Sequence, residues 1–313
     1  MMDNPLITIG ITCFNSEKYI ISALDSALNQ DWQNKEVIIV DDFSSDKTIE
    51  LIEEYIKNYD NFKLFKHKKN SGYGEALNSI IKKSNGEYIA IFDSDDRSDK
   101  ERLKKQYKRY ISYKEEKKTQ NIICYSNRKV VNNQILKSTN FAYAIGRKEI
   151  EPNGKKVADF IFGINFPDRN HNWGVFGSCT MFIKKSTIKK IGYFDKFFRR
   201  EAEHDFAIRA AFKNFHFIAV DEPLVTQYKT KSEYKSKKKA LKYSLSLIQK
   251  HKKYLISKKS YYGSICLTFT RNFFVRENKL LAYFFYFLAL IFLPYDQKLL
   301  RIYNSKLIKK ILK

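Results

Sequence analysis

Apolar residues in the first hundred positions follow two alternating periods. Leu6–Thr12 (LITIGIT), Glu36–Val40 (EVIIV), Asn61–His67 (NFKLFKH) and Glu87–Phe92 (EYIAIF) are short runs rich in β-branched and aromatic residues, as strands require. Between them, about Glu17 to Gln30 sets Ile20, Ala23, Leu24, Ala27 and Leu28 at helical spacing. Asp46 reads as the cap of a second helix reaching about Tyr59, and Gly72–Lys83 reads as a third. Strands separated by helices of this length form βαβ units, which predicts an α/β fold with a mainly parallel sheet flanked by helices.

The pattern loosens in the middle. Asn153–Trp173 lacks periodicity and reads as a long loop, Val175–Lys185 as a strand, Ser186–Ile191 and Ala202–Lys213 as helices, and Phe215–Val220 as a late strand. After Tyr228 the character changes. Residues 235–256 place Leu241, Leu245, Ile248 and Leu255 on one face among lysines, a basic amphipathic helix. Leu280–Leu293 (LLAYFFYFLALIFL) is uncharged and ends at Pro294; as a helix it rises about 21 Å, short of a bilayer core of ~30 Å. These shifts divide the chain into residues 1–228 and a helical, basic and apolar extension, 229–313.

Charge sharpens that division. The net charge is +24, and residues 229–313 hold 21 Lys and Arg against three acids, leaving the front nearly ordinary. Such a tail fits an anionic membrane surface. Four scattered cysteines with no C-x-x-C pair argue against a zinc ribbon or a disulfide framework and fit reduced thiols in the cytoplasm. The first residues carry an acid and no basic n-region, unlike a secretory leader.

Open α/β sheets bind ligands beyond the carboxyl ends of their strands, and both acidic clusters of the front half fall there. Asp41 and Asp42 follow the second strand, where a carboxylate can accept from a nucleobase or ribose. Asp93, Ser94, Asp95 and Asp96 follow the fourth; acids at i and i+2 of an extended segment face one side and suit Mg²⁺ or Mn²⁺. The competing reading of these acids is helix capping. A third cluster holds Glu201, Glu203, His204 and Asp205, where Glu203 or Asp205 could take a proton from an attacking hydroxyl. His204 could ligate a metal, although a lone histidine is more often a surface or packing residue. Trp173, followed by Gly174, offers an aromatic face for a sugar ring or for the core.

In this order and spacing the segments resemble family 2 glycosyltransferases of the GT-A fold. The opening strand ITIGITCFN with Glu17, VIIVDDFSSDKT (Val37–Thr48), NSGYGEALN (Asn70–Asn78) and GEYIAIFDSDD (Gly86–Asp96) carry the likeness, with Thr12 where a proline is usual. The resemblance implies a Rossmann-like GT-A domain that binds a nucleotide-sugar, by default a UDP-sugar, through Thr12, Phe14, Asn15, Glu17, Asp41, Asp42, Asn70, Gly72, Asp93 and Ser94. It implies Asp42, with Asp41, at the nucleobase, Asp93 at ribose or phosphate, and Asp95, with Asp93 and His204, at a Mn²⁺ or Mg²⁺ ion. Counting back from Arg209 puts Glu203 at the base position, with Asp205 second and Ala202 where Glu or Gln is expected. Trp173 and Gly174 would meet the acceptor, a glycan or lipid-linked glycan of a bacterial surface polysaccharide. The tail would hold the enzyme on the inner face of the cytoplasmic membrane, and nucleic acid is not an expected partner. Two other readings compete: a sugar nucleotidyltransferase, which would place glycines where TCFNSEKY stands, and a non-enzymatic basic binding protein, which leaves the strand-end acids unexplained.

Overall fold

A computed structural model describes residues 4–131, 139–148, 151–164, 173–228 and 237–298. The front half follows the expected alternation: β1 (Ile7–Cys13), α1 (Ile20–Leu28), β2 (Lys35–Asp41), α2 (Thr48–Ile56), β3 (Phe62–Lys66), α3 (Tyr73–Lys83) and β4 (Tyr88–Asp93). Then come β5 (Asp96–Ser98), α4 (Arg102–Lys117), β6 (Ile122–Val131), β7 (Thr139–Ala142) and α5 (Lys155–Phe162). A single 3₁₀ turn, Ser178–Thr180, leads into β8 (Phe182–Lys184), α6 (Lys185–Ile191), α7 (Ala202–Phe212) and β9 (His216–Tyr228). Four further helices follow: α8 (Lys237–Lys250), α9 (Lys252–Ser257), α10 (Tyr261–Val275) and α11 (Lys279–Phe292).

The fold is the expected α/β type. One nine-stranded sheet runs β3-β2-β1-β4-β8-β6-β9-β5, with β7 on the flank of β6. The ladders of β3, β2, β1 and β4 and the long β6–β9 pair are parallel, and the joins through β8, β5 and β7 are antiparallel. The β1 and β2 side chains are buried on both faces, which is why these strands read as unbroken apolar runs. Ile7, Ile9, Ile11, Val37 and Ile39 meet Ile20, Leu24 and Tyr110 in the principal core.

The chain divides into two compact units, Met1–Lys155 with Trp173–Thr230, and Lys156–Asn172 with Lys231–Lys313. In the second, Asp159 on α5 accepts from Tyr254 Oη at 2.6 Å and pairs with Lys258 Nζ at 3.1 Å. These bonds attach 156–164 to the later helices and put α5 inside the segment expected to be a loop. Two further expectations change. Val175–Lys185 has only three residues in a strand, Phe182–Lys184, and is otherwise divided among a bridge from Val175 to Ala144, the 3₁₀ turn and irregular backbone before the start of α6. The amphipathic pattern of 235–256 is interrupted at His251 between α8 and α9. Most of the basic segment 298–313 lies outside the described residues.

At the amino-terminal edge of the sheet, buried Glu36 ties three strands together. It accepts from Thr8 Oγ1 at 2.7 Å, Gly86 N–H at 3.1 Å, Asn85 N–H and Asn85 Nδ2. Burial alone would raise the Glu36 carboxyl; the donors around it outweigh burial and hold it below its ordinary value. Its stabilisation is therefore present above the unfolded carboxyl pKa of about 4 and lost as pH falls through the lower folded value. Glu36→Ala should destabilise the protein by about 2–3 kcal/mol at pH 7 in urea unfolding, with the gap to wild type narrowing at acid pH.

Candidate active site

The loops leaving the carboxyl ends of β1, β2 and β4 are joined by hydrogen bonds. Asn15, at φ +49°, gives its N–H to Ser44 Oγ and accepts from Ser45 N–H through Oδ1, both at 2.9 Å. Glu17 donates its N–H to Asp46 Oδ2 at 3.1 Å and accepts from Lys47 N–H at 3.2 Å. Asp46 also takes the Thr48 N–H at 3.0 Å, so it serves both the start of α2 and the β1 loop. Ser16 and Ser94 hydroxyls meet at 2.7 Å. Thr12 is buried at the end of β1 between Val40 and Asp93, and Phe14 is half-buried just beyond it.

Asp41 and Asp42 are engaged by the fold itself. Asp41 is fully buried and accepts from the N–H and Oγ of Ser44. Asp42 accepts from His67 Nδ1 at 2.7 Å, Ser71 N–H at 2.8 Å and Gly72 N–H at 2.7 Å, which binds the end of β2 to the turn before α3. Arg199 grips that turn from outside, Nη1 to Asn70 Oδ1 at 2.7 Å and Nη2 to Asn70 O at 3.1 Å. Gly72 has φ +90°, a conformation that an L side chain rarely adopts.

The acid centre lies one strand over. One ligand atom each from Asp93, Asp96 and Cys179 fall within 4.8 Å of one another. Burial is the largest cause that drives the Asp93 carboxyl well above the usual range, with Asp96, Asp95 and Glu203 adding to it. Asp96 is pushed up to about 7, first by burial and then by Asp95, and its buried Oδ2 has no hydrogen-bond partner. Burial, then Asp93 and Asp96, push the Cys179 thiol up, so the sulfur stays protonated. Two carboxylates with an orphan oxygen fit a hard divalent cation; the neutral thiol contributes little to such an ion.

A chain of two hydroxyls leads from this centre to α7. Tyr73 Oη donates to Asp93 Oδ1 at 2.9 Å and meets Ser178 Oγ. Ser178 gives both its Oγ–H and its N–H, the latter at 2.9 Å, to the same oxygen, Oε1 of Glu203. Two hydroxyl protons serve three contacts between two carboxyls. With Tyr73 donating to Asp93 and Ser178 to Glu203, the contact between the two hydroxyls has no proton of its own; a proton on Asp93 directed at Tyr73 would turn the Tyr73 O–H to Ser178 and fill all three, in keeping with the upward push on Asp93. Glu203 Oε2 accepts no hydrogen bond among the described residues, and the side chain is half-buried.

The structure therefore brings Asp93 and Glu203 together and separates them from the other base candidate. Asp205 has 0% exposure and is held by Arg209 Nε at 2.8 Å, while the rest of that guanidinium caps the carbonyls of Ile191, Gly192 and Tyr193. His204 bonds Glu201 at 2.6 Å and packs edge-on to Phe176; of the expected metal ligands, His204 and Asp95 are outside the single metal-ligating cluster found among the described residues, which holds Asp93. Trp173 is half-buried. Gly174, at φ +99°, lies so close to Ala144 that a Cβ would stand 2.4 Å from its carbonyl oxygen. Tyr73, Ser178, Cys179 and Arg199 were not readable as site residues, because serines, tyrosines and arginines at those places match ordinary packing.

Comparison with known proteins gives this arrangement a family. The sequence profile described as Glycosyl transferase family 2 matches residues 8–190, more than half of the chain. The chain belongs to glycosyl transferase family 2. It is 28% identical over 234 residues to an uncharacterized glycosyltransferase of Methanocaldococcus jannaschii, covering 72% of this chain and 71% of that one. An uncharacterized glycosyltransferase of Haemophilus influenzae is 41% identical over 105 residues, 34% of this chain and 42% of its own length. The Staphylococcus aureus poly(ribitol-phosphate) beta-N-acetylglucosaminyltransferase TarS is 40% identical over 100 residues, 31% of this chain and 17% of its length. The chain spans less than half the length of the first curated relatives it matches. Among solved structures, residues 1–349 of TarS in complex with UDP-GlcNAc superpose with a TM-score of 0.59 at 17% identity, over 92% of this chain and 93% of that one, a likeness of fold.

Asp96 supplies a test of the acid centre that needs no substrate. A carboxyl raised in the folded state favours folding at low pH and loses that contribution as pH rises from about 4 to about 7. Without divalent ions, Asp96→Asn should lose less stability than wild type over that interval, as followed by thermal unfolding at each pH.

Proposed function

We propose that this family 2 enzyme is an inverting, divalent-metal-dependent transferase that moves a sugar from a UDP-sugar to a hydroxyl of a glycan or lipid-linked glycan in bacterial surface polysaccharide synthesis. The observation that carries the reading is Glu203, with one oxygen fixed by both donors of Ser178 and the other free, joined through Tyr73 to the donor-side acid Asp93. A base needs that asymmetry: the anchored oxygen sets its direction, and the free one receives the proton. The names of the relatives point the same way, among them chondroitin synthase of Escherichia coli and a protein named for teichuronic acid biosynthesis in Bacillus subtilis.

In this reading the loops holding Thr12, Phe14, Asn15, Glu17, Asn70 and Gly72 form the nucleotide end. Asp41 and Asp42 keep their shape, and Asp42 offers the base its remaining lone pair. Asp93, Asp95 and Asp96 are the residues that would hold Mn²⁺ or Mg²⁺, which when bound offsets charge on the departing diphosphate. Glu203 Oε2 takes the proton of the acceptor hydroxyl, whose oxygen forms a bond to the anomeric carbon as the bond to UDP breaks. Attack opposite the leaving group inverts the centre. Trp173 serves as the stacking face for the acceptor, with Gly174 setting its backbone. Metal-dependent release of UDP from a panel of UDP-sugars tests the assignment. Turnover should vanish with excess chelator and in Asp95→Ala, and Glu203→Gln should lower kcat by about a hundredfold or more. Ser178→Ala should lower it by about tenfold, with donor KM little changed.

The basic and apolar extension, residues 229–313, is read as a membrane-surface element. No helix among the described residues is long and apolar enough to cross a membrane. On α11, Ala282 and Ala289 are buried, with Ala289 packed against Cys266, Leu267 and Leu293. The other face sets Leu280, Phe284, Phe287 and Ile291 in one stripe at 81%, 55%, 62% and 67% exposure. Such a stripe in a basic segment suits the interface of an anionic bilayer. Anionic phospholipid vesicles should sediment the protein in a salt-sensitive way, neutral vesicles should not, and F287S/I291S should lose the interaction.

A further inference from the structure

The parallel ladder of β6 and β9 shifts register on both sides of Asn127, between Ser126 and Asn127 and again between Asn127 and Arg128. Irregularities of this kind re-aim a side chain and are frequent beside active sites. Arg128 emerges half-buried from this kink. Its Nε is shut off from solvent without a partner, and its guanidinium makes no hydrogen bond or salt bridge among the described residues. Two other guanidiniums of the first unit are spent: Arg102 on Gln106, Ser98 and the Ile91 carbonyl, Arg209 on Asp205 and three carbonyls.

The surroundings make room for this charge without bonding it. A Cβ on Gly177 would stand 2.0 Å from Arg128 Nη1, so any side chain there displaces the guanidinium. Gly177 immediately precedes Ser178, the residue that anchors Glu203. The positive charge also acts on Asp96 and Cys179 and opposes their upward shifts, which places it beside the acid centre. A planar, always-charged donor, partly desolvated and unpaired, is unfavourable unless an anion completes it. A phosphate is the anion such a site handles, since guanidinium recognises its oxygens in pairs.

We propose that Arg128 is an oxyanion-binding residue of the active site that takes a substrate phosphate next to the acids of the Asp93–Asp96 centre. The proposal rests on the transferase reading above for the source of that phosphate, either the diphosphate of the donor or an anionic group of the acceptor.

Calorimetric titration of the full chain at fixed Mg²⁺, with UDP, uridine and inorganic phosphate, tests it. In Arg128→Gln, affinity for at least one phosphate-bearing ligand should fall about tenfold or more, with uridine within about twofold of wild type. Arg128→Lys should fall between the two, and Gly177→Ala, which moves the guanidinium without removing it, should weaken the same ligand. Lower UDP affinity assigns the donor diphosphate; unchanged UDP affinity with loss of phosphate binding to the UDP-saturated protein assigns an acceptor anion. Unchanged affinity for both UDP and phosphate in Arg128→Gln overturns the proposal. So does a parallel loss of uridine binding, which marks a general disturbance of the site. Phosphate binding that depends on Arg128 in a wild type indifferent to UDP would uphold Arg128 and defeat the UDP-donor reading.

Discussion

Two carboxyls and a thiol with ligand atoms within 4.8 Å of one another, just past the carboxyl end of β4, are the constraint around which the rest is arranged. Like charges so close and so dry cannot all ionise, and the shifts of Asp93 and Asp96 are the response. Such a centre is unfavourable for the empty protein and favourable for anything that brings positive charge to it. A cation placed there would gain from relief of a repulsion already present in the fold.

The sheet around the centre is held at both edges by acids that play a different part. Glu36 gathers the starts of β1, β2 and the segment before β4, while Asp42 gathers the exits of β2 and the entry to α3. Each accepts several donors, two of them backbone N–H groups, an arrangement in which ionisation is an asset. The contrast between these acids and the Asp93–Asp96 pair is one of donor supply: several donors surround Glu36 and Asp42, whereas among the described residues a single backbone N–H, that of Tyr228, reaches the pair, at 3.3 Å from Asp96 Oδ1.

The βαβ half was legible because β1, β2 and β4 are buried on both faces and its helices carry one apolar stripe, so period and length agree. The later half was not, since β6, β8 and β9 owe their pairing to contacts far apart in sequence, and α5 is fixed by Asp159 reaching Tyr254 and Lys258. Spacing picked out the acids but could not rank them. Glu203 and Asp205 are two residues apart on one helix, and only the fold reveals that one faces Ser178 and the other Arg209. Tyr73 lay inside a recognised segment, yet its hydroxyl acquires meaning only when Ser178, 105 residues away, comes to meet it.

The grip of Asp42 on Ser71 and Gly72, together with that of Asn15 on Ser45 and Glu17 on Lys47, makes three loops into one mechanical part. Exchanging any one of them with a homologue, as in attempts to change the sugar nucleotide accepted, would strip donors from carboxylates belonging to the others. The natural unit for such grafting is the whole set, residues 14–17, 42–48 and 67–72, carried across with Arg199, whose guanidinium braces the last of them.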